Sequence, residues 1–83
     1  MRLEGKTAIV TGGGSGFGAG IARKFAAEGA RVMVADLNED AAQAVAREIG
    51  GLGFAVNVAE AVQVKAMAEA AVDAFGRIDI LVN

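Results

Sequence analysis

Eighty-three residues, 54% of them apolar, make one small domain at most. A net charge of −2 argues against a nucleic-acid partner, which wants a basic face. The absence of cysteine and histidine argues against a disulfide framework and a zinc site, and no apolar run approaches the ~20 residues of a membrane span.

The opening Met1-Arg2-Leu3-Glu4-Gly5-Lys6 carries no apolar core of a secretory signal, so a cytoplasmic protein is the expectation. Thr7-Ala8-Ile9-Val10 is a short run of strand formers, and a glycine-rich turn follows it, Thr11-Gly12-Gly13-Gly14-Ser15-Gly16-Phe17-Gly18. From Phe17 the apolar positions Ile21, Ala22, Phe25 and Ala26 recur at helical spacing, with Gly29 as a C-cap. Val32-Met33-Val34-Ala35 is a second buried strand, which Asp36 ends. Asn38 caps a helix whose first residues, Glu39 and Asp40, suit the helix dipole and which runs to Gly50-Gly51.

Phe54-Ala55-Val56 gives a third strand. A longer helix from about Glu60 to Gly76 puts Val64, Met67, Ala68, Ala71, Val72 and Phe75 on one face, read as core. Ile78–Val82 is the fourth strand, in which Asp79 reads as structural, while Arg23, Lys24, Arg47, Lys65 and Arg77 read as solvated positions. Continuous apolar strands alternating with helices predict an α/β fold with a parallel sheet covered on both faces. Right-handed crossovers then give strand order 3-2-1-4, the first half of a Rossmann-type doubly wound sheet. The fourth strand would leave an unpaired apolar edge, so the chain is expected to be part of a longer protein.

The glycine-rich turn carries the chemistry. Backbone N–H groups at a helix N-terminus are unpaired and lie at the positive end of the dipole, so they hold a phosphate. In the Gly-x-Gly-x-x-Gly register, a start at Gly12 puts Phe17 at the third glycine, and a start at Gly14 leaves two spare residues after the strand. The spacing Thr11-Gly12-x-x-x-Gly16-x-Gly18 fits the strand end and the helix start together. Asp36, about 20 residues on, stands where a ribose-binding carboxylate belongs in a dinucleotide fold.

That loop resembles the cofactor loop of the short-chain dehydrogenase/reductase family. Three further passages carry the resemblance: Asp36 at the end of the second strand, Asn57-Val58 after the third, and Gly76-Arg77-Ile78-Asp79-Ile80-Leu81-Val82-Asn83, which looks like the approach to the family's Asn-Asn-Ala-Gly motif. It covers the whole chain and looks closest to the 3-oxoacyl-acyl-carrier-protein reductase-like members. The resemblance implies that Gly12, Gly16 and Gly18 let the backbone approach a pyrophosphate. Ser15 would add a hydroxyl donor there, and Phe17 a backbone N–H. Asp36 would accept from the adenosine 2′- and 3′-hydroxyls, and Leu37 would wall the adenine. Asn57 would bind the adenine amino edge through its side chain, with Val58 beside the ring and Asn83 under the ribose. Thr11 either ties the loop to the fourth strand through its hydroxyl or is an ordinary strand former.

NAD is the cofactor expected, in preference to NADP. A 2′-phosphate ~4 Å from the Asp36 carboxylate meets like charge, at a cost of roughly 4 kcal/mol for an effective dielectric of 20 and about 1 if fully solvated. Members that prefer NADP often carry a basic residue where this chain has Ser15 or Leu37. The family's hydride transfer between carbonyl and secondary alcohol uses a Ser and a Tyr-x-x-x-Lys pair, and this chain has no tyrosine. Residues 1–83 are therefore expected to be the NAD-binding half of a domain whose catalytic half lies past Asn83, with no catalytic residue of their own. The implied substrate is a small carbonyl or alcohol, acyl-carrier-protein-linked ones included, and the implied assembly a homodimer or homotetramer. Other readings stay open: a non-catalytic NAD-binding module, a purely structural domain, or an S-adenosylmethionine methyltransferase, since Gly14-x-Gly16-x-Gly18 also fits the last. Methyltransferases usually carry an acid before the loop, where Thr11 stands, and a P-loop ATPase lacks its Lys-Ser/Thr pair here.

Overall fold

The computed structural model describes residues 2–83; Met1, the first residue of the expected domain, lies outside the described residues. Seven elements follow one another: β1 (Thr7–Thr11), α1 (Gly16–Ala27), β2 (Arg31–Asp36), α2 (Glu39–Ile49), β3 (Leu52–Ala55), α3 (Ala61–Phe75) and β4 (Ile80–Val82). The four strands form one parallel sheet in the order β3-β2-β1-β4, as the alternation of strands and helices predicts. Thr11 stands opposite Ala35, Val10 opposite Val82, and Asp36 opposite Ala55.

Alternate residues of a strand face opposite sides of the sheet, and both sides of the two central strands are buried. Val10, Val32 and Val34 pack with Ala19 and Ala22 of α1 and Ala42, Val45 and Ala46 of α2. Ile9, Met33 and Ala35 pack with Met67 and Ala71 of α3. This accounts for the unbroken apolar runs in β1 and β2. On the α1/α2 side the fully buried helix residues are alanines except Val45, so both helices lie close on the sheet.

The local signals hold at most helix ends. Asn38 Oδ1 accepts from the Ala41 N–H at 3.0 Å, and Gly50 and Gly76 close α2 and α3 in the left-handed conformation. Helix α1 starts at Gly16, one residue before the expected Phe17, and its C-cap is Glu28, with Gly29 at φ +95° just beyond.

Four expectations need correction. The third strand is Leu52–Ala55, not 54–56, because pairing with β2 begins at Met33 opposite Leu52 and runs through Gly53. The fourth is Ile80–Val82, since Asp79 is used to close the start of the sheet. Coverage on both faces is complete only for β1 and β2, while β3 and β4, on the edges, are half exposed. Val72 belongs to no core; it is 46% exposed on the outer side of α3.

Arg77 is solvated, as expected, but it is paired. Its Nε lies 3.0 Å from Asp79 Oδ2, and its guanidinium donates to the Gly5 carbonyl at 3.2 Å. Asp79 is structural, as read from the sequence. Its carboxylate accepts the Thr7 N–H at 2.9 Å, its own N–H donates to the Thr7 carbonyl, and Thr7 is the one polar residue among the described residues that is buried. That Thr7 N–H, with the Arg77 guanidinium adding to it, holds the Asp79 carboxyl below its ordinary value.

Candidate functional site

A parallel sheet brings the C-terminal ends of all its strands to one side, and reversal of the winding direction opens a crevice there. The reversal falls beside β1, where α1 and α2 cover one face and α3 the other. Above these strand ends lies a cleft of about 350 Å³. Thr11 and Gly12 line it from β1, Asp36 and Leu37 from β2, Val56, Asn57 and Val58 from the segment after β3, and Asn83 from the end of β4. Six of the expected site residues therefore meet in one cleft, and the other four, Ser15, Gly16, Phe17 and Gly18, form the beginning of α1.

The loop between β1 and α1 is stitched to its neighbours. The Gly13 N–H donates to the Ala35 carbonyl at 3.1 Å, and the Gly14 N–H to Asp36 Oδ2 at 2.9 Å. Gly12 and Gly16 have φ of +66° and +54°, a region that side chains disfavour. Gly18 has a packing reason of its own, beside the expected approach to a ligand. A Cβ there would run into the Gly12 carbonyl, its carbon only 2.8 Å away, so the missing side chain is what lets the loop fold back on the helix.

Ser15 is the N-cap of α1 in extended conformation (φ −159°), and its side chain caps nothing. The first backbone bond of the helix is from the Ala19 N–H to the Ser15 carbonyl, at 3.2 Å. The N–H groups of Gly16, Phe17 and Gly18 thus have no acceptor one turn back, and the Ser15 hydroxyl stands beside them uncommitted. Phe17 is 88% exposed.

The Asp36 carboxylate accepts one N–H at each oxygen, Gly14 at Oδ2 and Asn38 at Oδ1 (3.0 Å). A carboxylate offers about four acceptor sites, so two remain for hydroxyl groups in the cleft. Leu37, 73% exposed, and Val58, 56% exposed, are apolar surfaces beside it that no other part of the described chain covers.

Asn57 Oδ1 is engaged in a turn, accepting the Ala59 N–H at 3.0 Å, which leaves one acceptor site and its amide hydrogens for the cleft. The turn is held from α3, where Gln63 Oε1 accepts the Asn57 N–H at 2.8 Å. Gln63 and Gly14 are positioning groups that the sequence reading did not single out. At the other wall the Thr11 hydroxyl donates to the Val82 carbonyl at 2.9 Å and lies equally close to Asn83 Oδ1, so Thr11 does tie the loop to the fourth strand.

Comparison with known proteins identifies the family. The family model for short chain dehydrogenases matches residues 6–83, and the chain belongs to that family. It is 52% identical over 88 residues to a D-threitol dehydrogenase of Mycolicibacterium smegmatis and 46% identical over 88 residues to a 7alpha-hydroxysteroid dehydrogenase of Escherichia coli. Each alignment takes in 100% of this chain and 34% of the relative, so the chain spans about a third of the length of the curated relatives it matches. Among solved structures, a 3-ketoacyl-(acyl-carrier-protein) reductase from Brucella melitensis complexed with NADH superposes with a TM-score of 0.93 at 46% identity, over 95% of this chain and 33% of that one. A hydroxysteroid dehydrogenase from Escherichia coli gives 0.92 at 45% identity, over 99% and 36%. No helix among the described residues is long and apolar enough to cross a membrane.

Proposed function

We propose that this chain is the adenosine- and pyrophosphate-binding part of an NAD-dependent short chain dehydrogenase that interconverts a small carbonyl compound and its secondary alcohol. The observation that carries this is the cleft at the strand ends, where the Asp36 carboxylate keeps two acceptor sites free beside the unpaired N–H groups that open α1. A dinucleotide fits that combination. Its pyrophosphate would take the N–H groups of Gly16, Phe17 and Gly18 and the Ser15 hydroxyl, with Gly12 beneath. Asp36 would hold the two ribose hydroxyls, and Asn83 would underlie the ribose. Leu37 and Val58 would flank the adenine, with the remaining capacity of Asn57 at its edge.

The nicotinamide of such a cofactor supplies the hydride. The residues present here bind and orient. With no tyrosine in the chain, the family's Ser and Tyr-x-x-x-Lys proton-transfer groups would come from outside this stretch, as would the substrate pocket. The relatives' names support a small-molecule substrate, with a polyol, a steroid or an acyl-carrier-protein-linked ketone as the models. A cytoplasmic homodimer or homotetramer is the assembly we assign to the whole protein, by analogy with the family.

The lone Asp36, with Ser15 and Leu37 where a phosphate-binding cation would be needed, supports NAD over NADP. Calorimetric titration of both dinucleotides tests this. NAD is expected to bind at least about fivefold tighter, the lower bound from a solvated like-charge pair. Equal or tighter binding of NADP would overturn the preference, and binding of neither would overturn the nucleotide reading itself.

A further inference from the structure

The Gly14 N–H sits between the part of the loop that Gly13 fastens to β2 and Ser15, the N-cap of α1. Its acceptor is a side chain, Asp36 Oδ2 at 2.9 Å. The same carboxylate receives the Asn38 N–H, and Asn38 in turn caps α2 through the Ala41 N–H. The fit leaves no room at Gly14: a Cβ there would stand 2.8 Å from the Ala41 Cβ and 2.9 Å from Asp36 Oδ2. One carboxylate therefore joins the start of α2, the end of β2 and the last turn before α1, whose first N–H groups face the phosphate position.

We propose that Asp36 is a positioning residue for the phosphate-binding loop as well as a ribose acceptor, so that pyrophosphate affinity depends on it even when the ligand has no ribose hydroxyls to hold. This deepens the nucleotide reading above and rests on it. The sign is diagnostic. Removing a carboxylate near a diphosphate relieves like-charge repulsion and by itself tightens anion binding. Loss of the loop's anchor does the opposite, because the N–H groups opening α1 are then no longer held in one arrangement. A second consequence concerns specificity: replacing Asp36 to admit a 2′-phosphate also frees Gly14, so that change alone gives a poor binder of both dinucleotides.

The test compares ADP with 2′,3′-dideoxyadenosine 5′-diphosphate, which keeps the diphosphate and lacks both hydroxyls, on the purified protein and its Asp36→Ala variant. Amide exchange at Gly14 is followed without ligand. We expect Asp36→Ala to weaken the dideoxy compound at least about tenfold, the loss of one charge-assisted hydrogen bond, and to speed Gly14 exchange. If circular dichroism shows that Asp36→Ala does not fold, Asp36→Asn serves, since its neutral oxygen is the weaker acceptor and the same two changes are expected in smaller measure. Unchanged or tighter binding of the dideoxy compound, with only ADP weakened, overturns the proposal and leaves the ribose contact standing. A wild-type protein that binds neither compound overturns the nucleotide reading and this inference together, whereas unprotected Gly14 in the wild type overturns the inference alone.

Discussion

Gly18 and Gly20 stand two residues apart in α1 and have opposite reasons for lacking a side chain. At Gly18 a Cβ would meet the Gly12 carbonyl, backbone that cannot swing aside, whereas at Gly20 nothing lies within 4 Å. Gly18→Ala must push the loop off the helix, at about 1–3 kcal/mol for an overpacked site, and displace the N–H groups that would hold the phosphates. We expect NAD affinity to fall at least about tenfold, and thermal unfolding to fall with it. Gly20→Ala, at an exposed position of the same helix, is expected to stabilise by about 0.5–1 kcal/mol, with NAD affinity unchanged. Paired melting curves and titrations read both, and an innocuous Gly18→Ala would show that the loop does not need its close approach. The spacing of the glycines was legible in the sequence, but the partner that forbids a Cβ at Gly18 lies six residues back across a turn, and no periodicity records it. Gln63 is harder still. In sequence it is a polar residue in the first turn of a helix, and only the folded loop brings its oxygen to the Asn57 N–H.

At the scale of elements, helix boundaries were easy to read because they are made by local chemistry: Asn38 at one end of α2, Gly50 and Gly76 at the ends of α2 and α3. The starts of β3 and β4 were not, because partners distant in the chain decide them. The third strand was expected from Phe54, yet Gly53 lies in β3, where a Cβ would stand 2.7 Å from the Gln43 side chain. The start of β4 depends on a contact across more than seventy residues, Asp79 with Thr7, which also fastens the start of β1. This contact gives a pH signature. The carboxyl of Asp79 is lowered, first by the Thr7 N–H and then by Arg77, so the unfolded chain binds its proton more readily than the folded one. Its stabilisation is complete above the unfolded value of about 3.9 and is lost as the pH falls from there through the lower folded value. Asp79→Asn is expected to be less stable than the wild type near neutral pH and to lose that deficit on the acid side. Urea unfolding of both proteins at about pH 7 and about pH 3 checks it: the deficit is expected to shrink at the lower pH, and one of undiminished size there would show that the charge is not what matters.

For the whole molecule, the exposed area is 4699 Å², close to the roughly 4,600 Å² expected of a compact monomer of 8.3 kDa. The packing is therefore normal for the size, but the size itself lets only about 60% of the unfolded surface be buried, which leaves stability marginal. Of the sheet's two edges, that of β4 carries the more exposed apolar side chain. Among the described residues strand β4 pairs with β1 alone, so its other edge presents N–H and C=O groups without a strand partner. Leu81, 57% exposed on this strand and in register with Ile9, puts an apolar side chain next to that edge. Exposed Val62 and Val72 add to the apolar surface of α3. An unprotected, apolar edge strand is a template for pairing with a second chain. An 83-residue polypeptide of this sequence is accordingly expected to self-associate, its sedimentation coefficient rising with concentration. Leu81→Lys is expected to weaken that association at least about tenfold, because a charge beside the edge resists strand addition. Since Leu81 is more than half exposed, the substitution sacrifices little burial, and its circular dichroism should match the parent's. A polypeptide that stays monomeric at every concentration, or a Leu81→Lys variant that associates as readily, would mean that the free edge of β4 is not the surface that recruits a second chain.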